Sequence, residues 1–232
     1  MKIRDMLAVA LFALAPVVAT AHQKSTLMAK PPKGAIVLFD GKDASKWHHR
    51  DSNDECKWDI ADGCLIVKPG QPDLVTKEEF GDYKLHIEFW LPLLANEKSQ
   101  GRCNSGVYQH GRYEIQVLDS YNNPTYKFGG CGAIYGQKDP DKDAIKPPEQ
   151  WNTYDITFRA PRFGPDGKVK EFPRITVFHN SIKIHDNVEI KVSNTASGLG
   201  GEQPATGPIL LQDHGAPVRY RNIWIVPIKA KA

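Results

Sequence analysis

Apolar and polar residues alternate with a period of two through much of the chain. Leu85, Ile87, Phe89 and Leu91 take one phase, and Lys84, His86, Glu88 and Trp90 take the other. Further on, Tyr113, Ile115 and Val117 oppose Arg112, Glu114, Gln116 and Leu118. Successive side chains of an extended strand point to opposite faces, so each run reads as a strand with one face toward a core. Similar short runs, rich in β-branched and aromatic residues, occur at 36–39, 57–60, 64–67, 107–109, 154–159, 174–179, 182–186, 209–212 and 223–228. Turn formers separate them. Ala61-Asp62-Gly63-Cys64 and His179-Asn180-Ser181 carry residues that tolerate the positive φ of tight hairpins. Pro92, Pro124, Pro140, Pro147, Pro148, Pro165 and Pro204 fall between the runs, where a missing N–H harms no ladder. Regular short strands with few helical windows predict an all-β sandwich of antiparallel sheets.

Three stretches stand apart from this pattern. Residues 1–21 join Lys2 and Arg4 to an apolar run from Met6 to Val18 and then to Ala19-Thr20-Ala21, which reads as a secretory signal peptide and predicts export to the periplasm or beyond. Residues 22–34, with Lys24, Lys30, Pro31, Pro32 and Lys33, read as a linker with little to bury, so that one domain is expected over 35–232. Asp119 to Gln150 is too long for a plain connection, and long loops on rigid sandwiches often build binding sites. No other stretch is long and apolar enough to span a membrane.

Composition removes several functions. The net charge of +3 is spread without a dense Lys/Arg block, so nucleic acid is not an expected partner. Cys56, Cys64, Cys103 and Cys131 show no C-x-x-C spacing. A two-residue turn at Asp62-Gly63 puts Ala61 opposite Cys64 and leaves Cys56 out of register, so Cys103 with Cys131 is the preferred disulfide, with buried free thiols as the alternative. Asp139-Pro140-Asp141-Lys142-Asp143 alternates carboxylates, but Ala144 and Gln150 stand where an EF-hand needs Gly and Glu. The glycine-rich 197–201 opens no helix and reads as a loop, and no zincin, Walker or nucleophile-elbow signature occurs.

Two constellations carry candidate chemistry. A face bearing His86, Glu88, Trp90, Arg112, Glu114 and Gln116 has the carboxylates, amides and aromatic plane that a sugar groove uses, and equally the makings of a solvated sheet face laced with cross-strand pairs. Near the C-terminus Gln212-Asp213-His214-Gly215 follows an apolar strand. His214 there is placed to act as a base with Asp213 holding its tautomer, or the two are simply turn residues bonded to backbone.

The motifs Leu38-Phe39-Asp40-Gly41-Lys42, Trp58-Asp59-Ile60-Ala61-Asp62-Gly63, Asn104-Ser105-Gly106-Val107, Tyr113-Glu114-Ile115-Gln116-Val117-Leu118-Asp119, Gly132-Ala133-Ile134-Tyr135 and Gly207 to Gly215 with Arg221-Asn222-Ile223 occur in that order. In them the chain resembles the 3-keto-disaccharide hydrolase family. It departs from the family at Lys46, where a glycine usually precedes Trp47, and at Cys103 and Cys131. The resemblance implies a concanavalin A-like jelly-roll sandwich of two antiparallel sheets. It also implies a carbohydrate substrate: glycosides already oxidised to a ketone at C3 by a separate sugar 3-oxidoreductase. A C3 ketone acidifies the C2 proton, so a base can remove it, the enolate can expel the C1 substituent, and water can add to the enone. The roles implied are His214 or Glu114 as base, Glu88 as acid, and Arg221, Arg112 or a bound divalent cation at the ketone, with Gln116, Asn104 and Gln212 orienting hydroxyls. Two further readings stand beside this one: a conventional glycosidase using Glu88 and Glu114 as a carboxylate pair, and a non-catalytic carbohydrate-binding module on the same fold.

Overall fold

The alternation is realised in a computed structural model that describes residues 24–229. Fifteen strands form in chain order: β1 (Ile36–Phe39), β2 (Trp47–His49), β3 (Asp59–Ala61), β4 (Cys64–Ile66), β5 (Leu74–Thr76), β6 (Tyr83–Trp90), β7 (Asn104–Gln109), β8 (Tyr113–Leu118), β9 (Trp151–Arg159), β10 (Arg162–Phe163), β11 (Val169–Glu171), β12 (Arg174–His179), β13 (Ile182–Glu189), β14 (Leu210–Leu211) and β15 (Arg219–Pro227). The larger sheet runs β13-β12-β9-β6-β15-β4-β3 with β1 also on β15, the smaller runs β2-β5-β14-β7-β8, and every pairing is antiparallel. β10 and β11 form a separate ribbon. The fold is the expected all-β sandwich.

The predicted phases set the inner faces. Tyr83, Leu85, Ile87 and Phe89 of β6 join Tyr154, Ile156 and Phe158 of β9 from one side, and Trp47, Leu74, Val107, Ile115, Val117 and Leu211 join them from the other, in one buried cluster. The two hairpin turns form as their residues require, with Asp62 and Gly63 at φ 53° and 72° and Asn180 and Ser181 at 50° and 66°. Ala61 stands opposite Cys64 and His179 opposite Ile182.

Apolar packing has no direction, and polar ties across the core supply one. Tyr83 Oη donates to Gln109 Oε1 (3.0 Å), Tyr154 Oη donates to the Gln116 carbonyl (2.6 Å), and the Tyr220 and Ser105 hydroxyls meet at 2.7 Å. Each joins the larger sheet to β7 or β8 of the smaller. None is surface-exposed, so the bonds carry full weight.

Two expectations are corrected. Residues 24–29 are not a free linker but lie across the outward face of the larger sheet. Thr26 Oγ1 donates to Asp155 Oδ2 (2.5 Å), the Met28 N–H to Glu88 Oε1 (2.5 Å), Asn222 Nδ2 to the Ala29 carbonyl (2.9 Å), and Ser181 Oγ to the Lys24 carbonyl (3.0 Å). The polar outward residues of β6 and β9 give this strap partners that a hydrophobicity pattern does not reveal. All four cysteines are free thiols, three of them buried. Cys131 Sγ sits 3.2 Å from Tyr154 Oη rather than on Cys103, and burial pushes the Cys131 thiol up to about 12. The signal-peptide assignment falls outside the described residues. Within them no helix is long and apolar enough to cross a membrane.

Replacing Tyr83 by Phe leaves Gln109 Oε1 buried without its donor and is expected to lower the unfolding free energy by about 1–3 kcal/mol, read from the midpoint of urea unfolding at unchanged slope.

Candidate active site

The site forms on the outward face of the smaller sheet. Ser105, Val107 and Gln109 of β7 turn inward, which leaves Asn104, Gly106 and Tyr108 facing out. Glu114 and Gln116 do the same on β8, and the register places Tyr108 opposite Glu114 and Gly106 opposite Gln116. Gln212 follows β14 into the same face, and His214 lies on the loop beyond. Asn104, Tyr108, Glu114, Gln116 and Gln212 line a cavity of about 50 Å³ with His214, Tyr135, Ala196 and Ser197. Pockets for small ligands hold roughly 300–1,000 Å³, so this cavity is the polar floor under a ligand rather than an enclosure for one.

Glu114 is the centre of the floor. It is 3% exposed, although its strand phase turns it away from the core. A Cβ on Gly106 would lie 2.7 Å from both Glu114 Oε1 and Tyr108 Cε2, so glycine alone leaves room for the carboxyl to lie over β7. Tyr108 Oη donates to Glu114 Oε2 (2.9 Å) and itself accepts from Gln212 Nε2 (2.9 Å). Burial pushes the Glu114 carboxyl up to about 8, against the lowering effect of the Tyr108 hydroxyl. At neutral pH it therefore holds its proton, as an acid does before it acts.

Loops roof the carboxyl. The segment 119–150 contributes Tyr135, whose hydroxyl is bonded to that of Tyr126. Burial, with that bond, pushes the Tyr135 phenol up to about 12. The second roof, 195–203, is tied down by two arginines. Arg112 donates to the carbonyls of Gly200 (2.6 Å), Glu202 (2.7 Å) and Gly201 (3.2 Å), and Arg50 donates to the Ser197 carbonyl (2.6 Å). Thr195 Oγ1 accepts the Glu114 N–H at 3.1 Å.

Five of the expected residues thus come together: Asn104, Glu114, Gln116, Gln212 and His214. Three do not. Arg112 is spent on backbone carbonyls of the roof and supports the site from outside it. Glu88 and Arg221 lie on the outward face of the larger sheet, with the core between them and Glu114. A bulge in β15 between Arg221 and Trp224, with Asn222 at φ 48°, turns both Arg221 and Asn222 outward, where alternation from Ile223 and Ile225 would send Arg221 into the core. Arg221 Nε donates to Glu88 Oε2 (2.8 Å), Asn222 Nδ2 to Glu88 Oε1 (2.9 Å), and the Arg221 guanidinium stacks on Trp151 at 3.7 Å. His86 bridges toward Asp155 (2.7 Å) and stacks on Trp224. Burial opposes ionisation of Glu88, but hydrogen bonds from His86, Asn222, Arg221 and the Met28 N–H hold it down to about 2. A carboxylate so fully bonded anchors the strap. Glu88 is therefore neither the acid of this site nor half of a carboxylate pair with Glu114.

Asp213 does not orient His214 either: its carboxylate accepts the N–H groups of Gly70 and Gly215, both at 2.7 Å, as a turn residue does. Tyr108, Tyr135 and Arg50 were not singled out from the sequence. Tyr108 was within reach of the same alternation, since it shares the phase of Asn104. For a divalent cation the donor set does not fit: among the described residues no group of three or more His, Cys, Asp and Glu comes together, and the floor offers one carboxyl among neutral amides.

A sandwich face that sets a buried, protonated carboxyl among amides, a tyrosine and a rim histidine has the chemistry of a carbohydrate-active protein. The chain belongs to the 3-keto-alpha-glucoside-1,2-lyase-like domain family, which matches residues 34–226. Among solved structures it is similar to a candidate glycosyl hydrolase from Parabacteroides distasonis ATCC 8503, at 41% identity and a TM-score of 0.79, covering 85% of each chain. Two further candidate glycosyl hydrolases of that organism share the fold. One has 19% identity and a TM-score of 0.63 over 84% of this chain and 94% of the other, and the second has 24% and 0.57 over 84% and 99%. No curated protein matches the chain.

Two titrations are expected. Glu88 has a depressed pKa, so its stabilisation is present above the ordinary value of 4.5 and is lost as pH falls toward about 2. Glu88→Gln should cost about 1.5–3 kcal/mol at pH 7, with the difference from the parent protein narrowing over that window in urea unfolding. Glu114 has a raised pKa, so the folded state binds more protons than the unfolded one between 4.5 and about 8, and stability falls with rising pH across that range. Glu114→Gln should be more stable than the parent protein by a margin that grows from pH 4.5 to 8 and is level above it.

Proposed function

We propose that this protein is an exported enzyme that cleaves 3-keto-glycosides by elimination across C1 and C2 followed by hydration. The observation that carries the reading is the buried Glu114 carboxyl, protonated at neutral pH, on a floor that His214 overhangs from the rim. Membership of a family described by 3-keto-glucoside lyase chemistry supports the substrate class. Export is supported by the charged, apolar and small-residue succession of residues 1–21.

In the proposed mechanism His214 takes the C2 proton of a sugar whose C3 is a ketone. The C2–H electron pair moves into a C2=C3 enolate, the enolate expels the C1 substituent, and the leaving glycosidic oxygen takes the proton of Glu114. The Tyr108 hydroxyl, held by Gln212, stabilises the carboxylate that remains. Water then adds at C1 of the enone and gives a proton to the Glu114 carboxylate, while the protonated His214 returns one to C2, so both groups recover their starting states. No electrons are gained or lost overall, so the ketone must be supplied beforehand by a sugar 3-oxidoreductase and remains in the product.

The test is to incubate the protein with a 3-keto-glycoside and with its unoxidised parent in deuterated water. Aglycone release with C2 deuteration from the keto sugar alone is expected, and Glu114→Gln and His214→Ala should each lower kcat by about 100-fold or more. Release from the unoxidised glycoside would overturn the elimination reading in favour of ordinary glycoside hydrolysis. Sugar binding with neither release nor exchange would leave a carbohydrate-binding module.

A further inference from the structure

The hydrogen-bond polarity of the floor is set by a residue outside both of its strands. Gln100 lies on the 3-10 turn Ser99–Gly101, and its Nε2 donates to the Gly129 carbonyl (2.8 Å) and to Thr125 Oγ1 (2.7 Å). A backbone carbonyl only accepts, so the nitrogen end of this amide is committed to the loop and its oxygen end is turned to the sheet. There Gln100 Oε1 accepts from Asn104 Nδ2 at 3.1 Å and from Gln116 Nε2 at 3.0 Å. The same two nitrogens also meet the carbonyls of Gln100 (3.1 Å) and Gly129 (3.4 Å), which again only accept. Both NH2 groups are therefore drawn toward Gln100, and both amide oxygens face away from it.

Those oxygens, Asn104 Oδ1 and Gln116 Oε1, are buried and have no hydrogen-bond partner among the described residues. Both residues line the cavity beside Glu114. Buried acceptors are normally paired, and a pair left open side by side in a cavity calls for donors from whatever binds there. An ether, carbonyl or carboxylate oxygen cannot supply them, whereas sugar hydroxyls can.

We propose that Gln100 is a positioning residue that turns Asn104 and Gln116 into two adjacent acceptors, selecting ligands that present two hydroxyl donors from one sugar ring. The inference rests on the reading of this cavity as a sugar site. It assigns the two amides to ring hydroxyls that the reaction leaves intact, while Glu114 and His214 act at C1 and C2.

The experiment uses the full chain and measures affinity by calorimetry, together with KM and kcat, for a 3-keto-glycoside and its 2-, 4- and 6-deoxy analogues. In the parent protein two of the three deoxy analogues should bind about 10- to 100-fold more weakly, the range expected when a buried polar group loses its partner. In Gln100→Met, whose side chain can hold neither amide, those penalties should fall to about 3-fold or less, with the loss in KM rather than kcat. A simple packing role would weaken every ligand equally and leave the ratios unchanged, and unchanged ratios in Gln100→Met overturn the proposal. Should that variant unfold at the assay temperature, Asn104→Leu decides: it should abolish the penalty of one deoxy analogue and leave the others, and a uniform loss overturns the proposal. If the parent protein binds none of the sugars, the functional reading falls and this inference with it. If it binds them all without discrimination, the inference alone falls.

Discussion

Tyr83, Tyr154 and Tyr220 cross the core from the larger sheet to meet Gln109, the Gln116 carbonyl and Ser105, and the placement of the site depends on these three bonds. Packing of Leu, Ile, Val and Phe side chains would tolerate a sliding of one sheet on the other, because the hydrophobic effect has no direction. A buried tyrosine hydroxyl does not tolerate it, since a shift leaves both partners unpaired in a low-dielectric interior. The bonds end on β7 and β8, the strands that bear Asn104, Tyr108, Glu114 and Gln116 on their other face. Ser105 also donates to the Gln212 carbonyl (2.6 Å), so the same network positions the strand end that leads to His214. The inner face of the smaller sheet thereby holds its outer face to a fixed geometry.

The two outward faces of the sandwich treat a buried carboxylate in opposite ways. On the larger sheet Glu88 receives a guanidinium, an amide, an imidazole and a backbone N–H, and its charge is fully compensated. On the smaller sheet Glu114 receives the Tyr108 hydroxyl, lies near the half-buried Asp73, and keeps its proton. The first arrangement stabilises an ion and secures the strap. The second leaves a carboxyl destabilised in its charged form, which is a cost to the fold. Both are glutamates at outward strand positions, and the difference lies wholly in what covers them.

Much of this was legible in the alternation itself. The phase of β6 and, from Tyr113 to Val117, that of β8 were correct, whereas Leu118, read with the polar face, joins the core cluster, and the turns at Asp62-Gly63 and Asn180-Ser181 followed from their tolerance of positive φ. The strands β2, β5, β10 and β11 were not read from the pattern: each is two or three residues long and lacks the flanking apolar or alternating residues that extended the equally short β3, β4 and β14 into legible runs. The segment 119–150 was expected to frame a site and supplies Tyr135, yet its path is set by bonds such as Gln100 to Gly129 that no period announces.

What the sequence determined by itself is which side chains share a face of one strand, because side-chain direction on an extended chain is a local property of the backbone. Which sheet a strand joins, and what then lies over its outward face, are decided by pairing partners far along the chain. For that reason Glu88 and Glu114, grouped together by their polar phases, stand on opposite sides of the sandwich. Arg221 shows the same limit at one residue: the bulge that turns it outward beside Asn222 exists only because β15 must pair with β6 on both sides of an interrupted register. The sequence held the chemistry of the site, and the tertiary structure chose which carboxyl was compensated and which kept its proton.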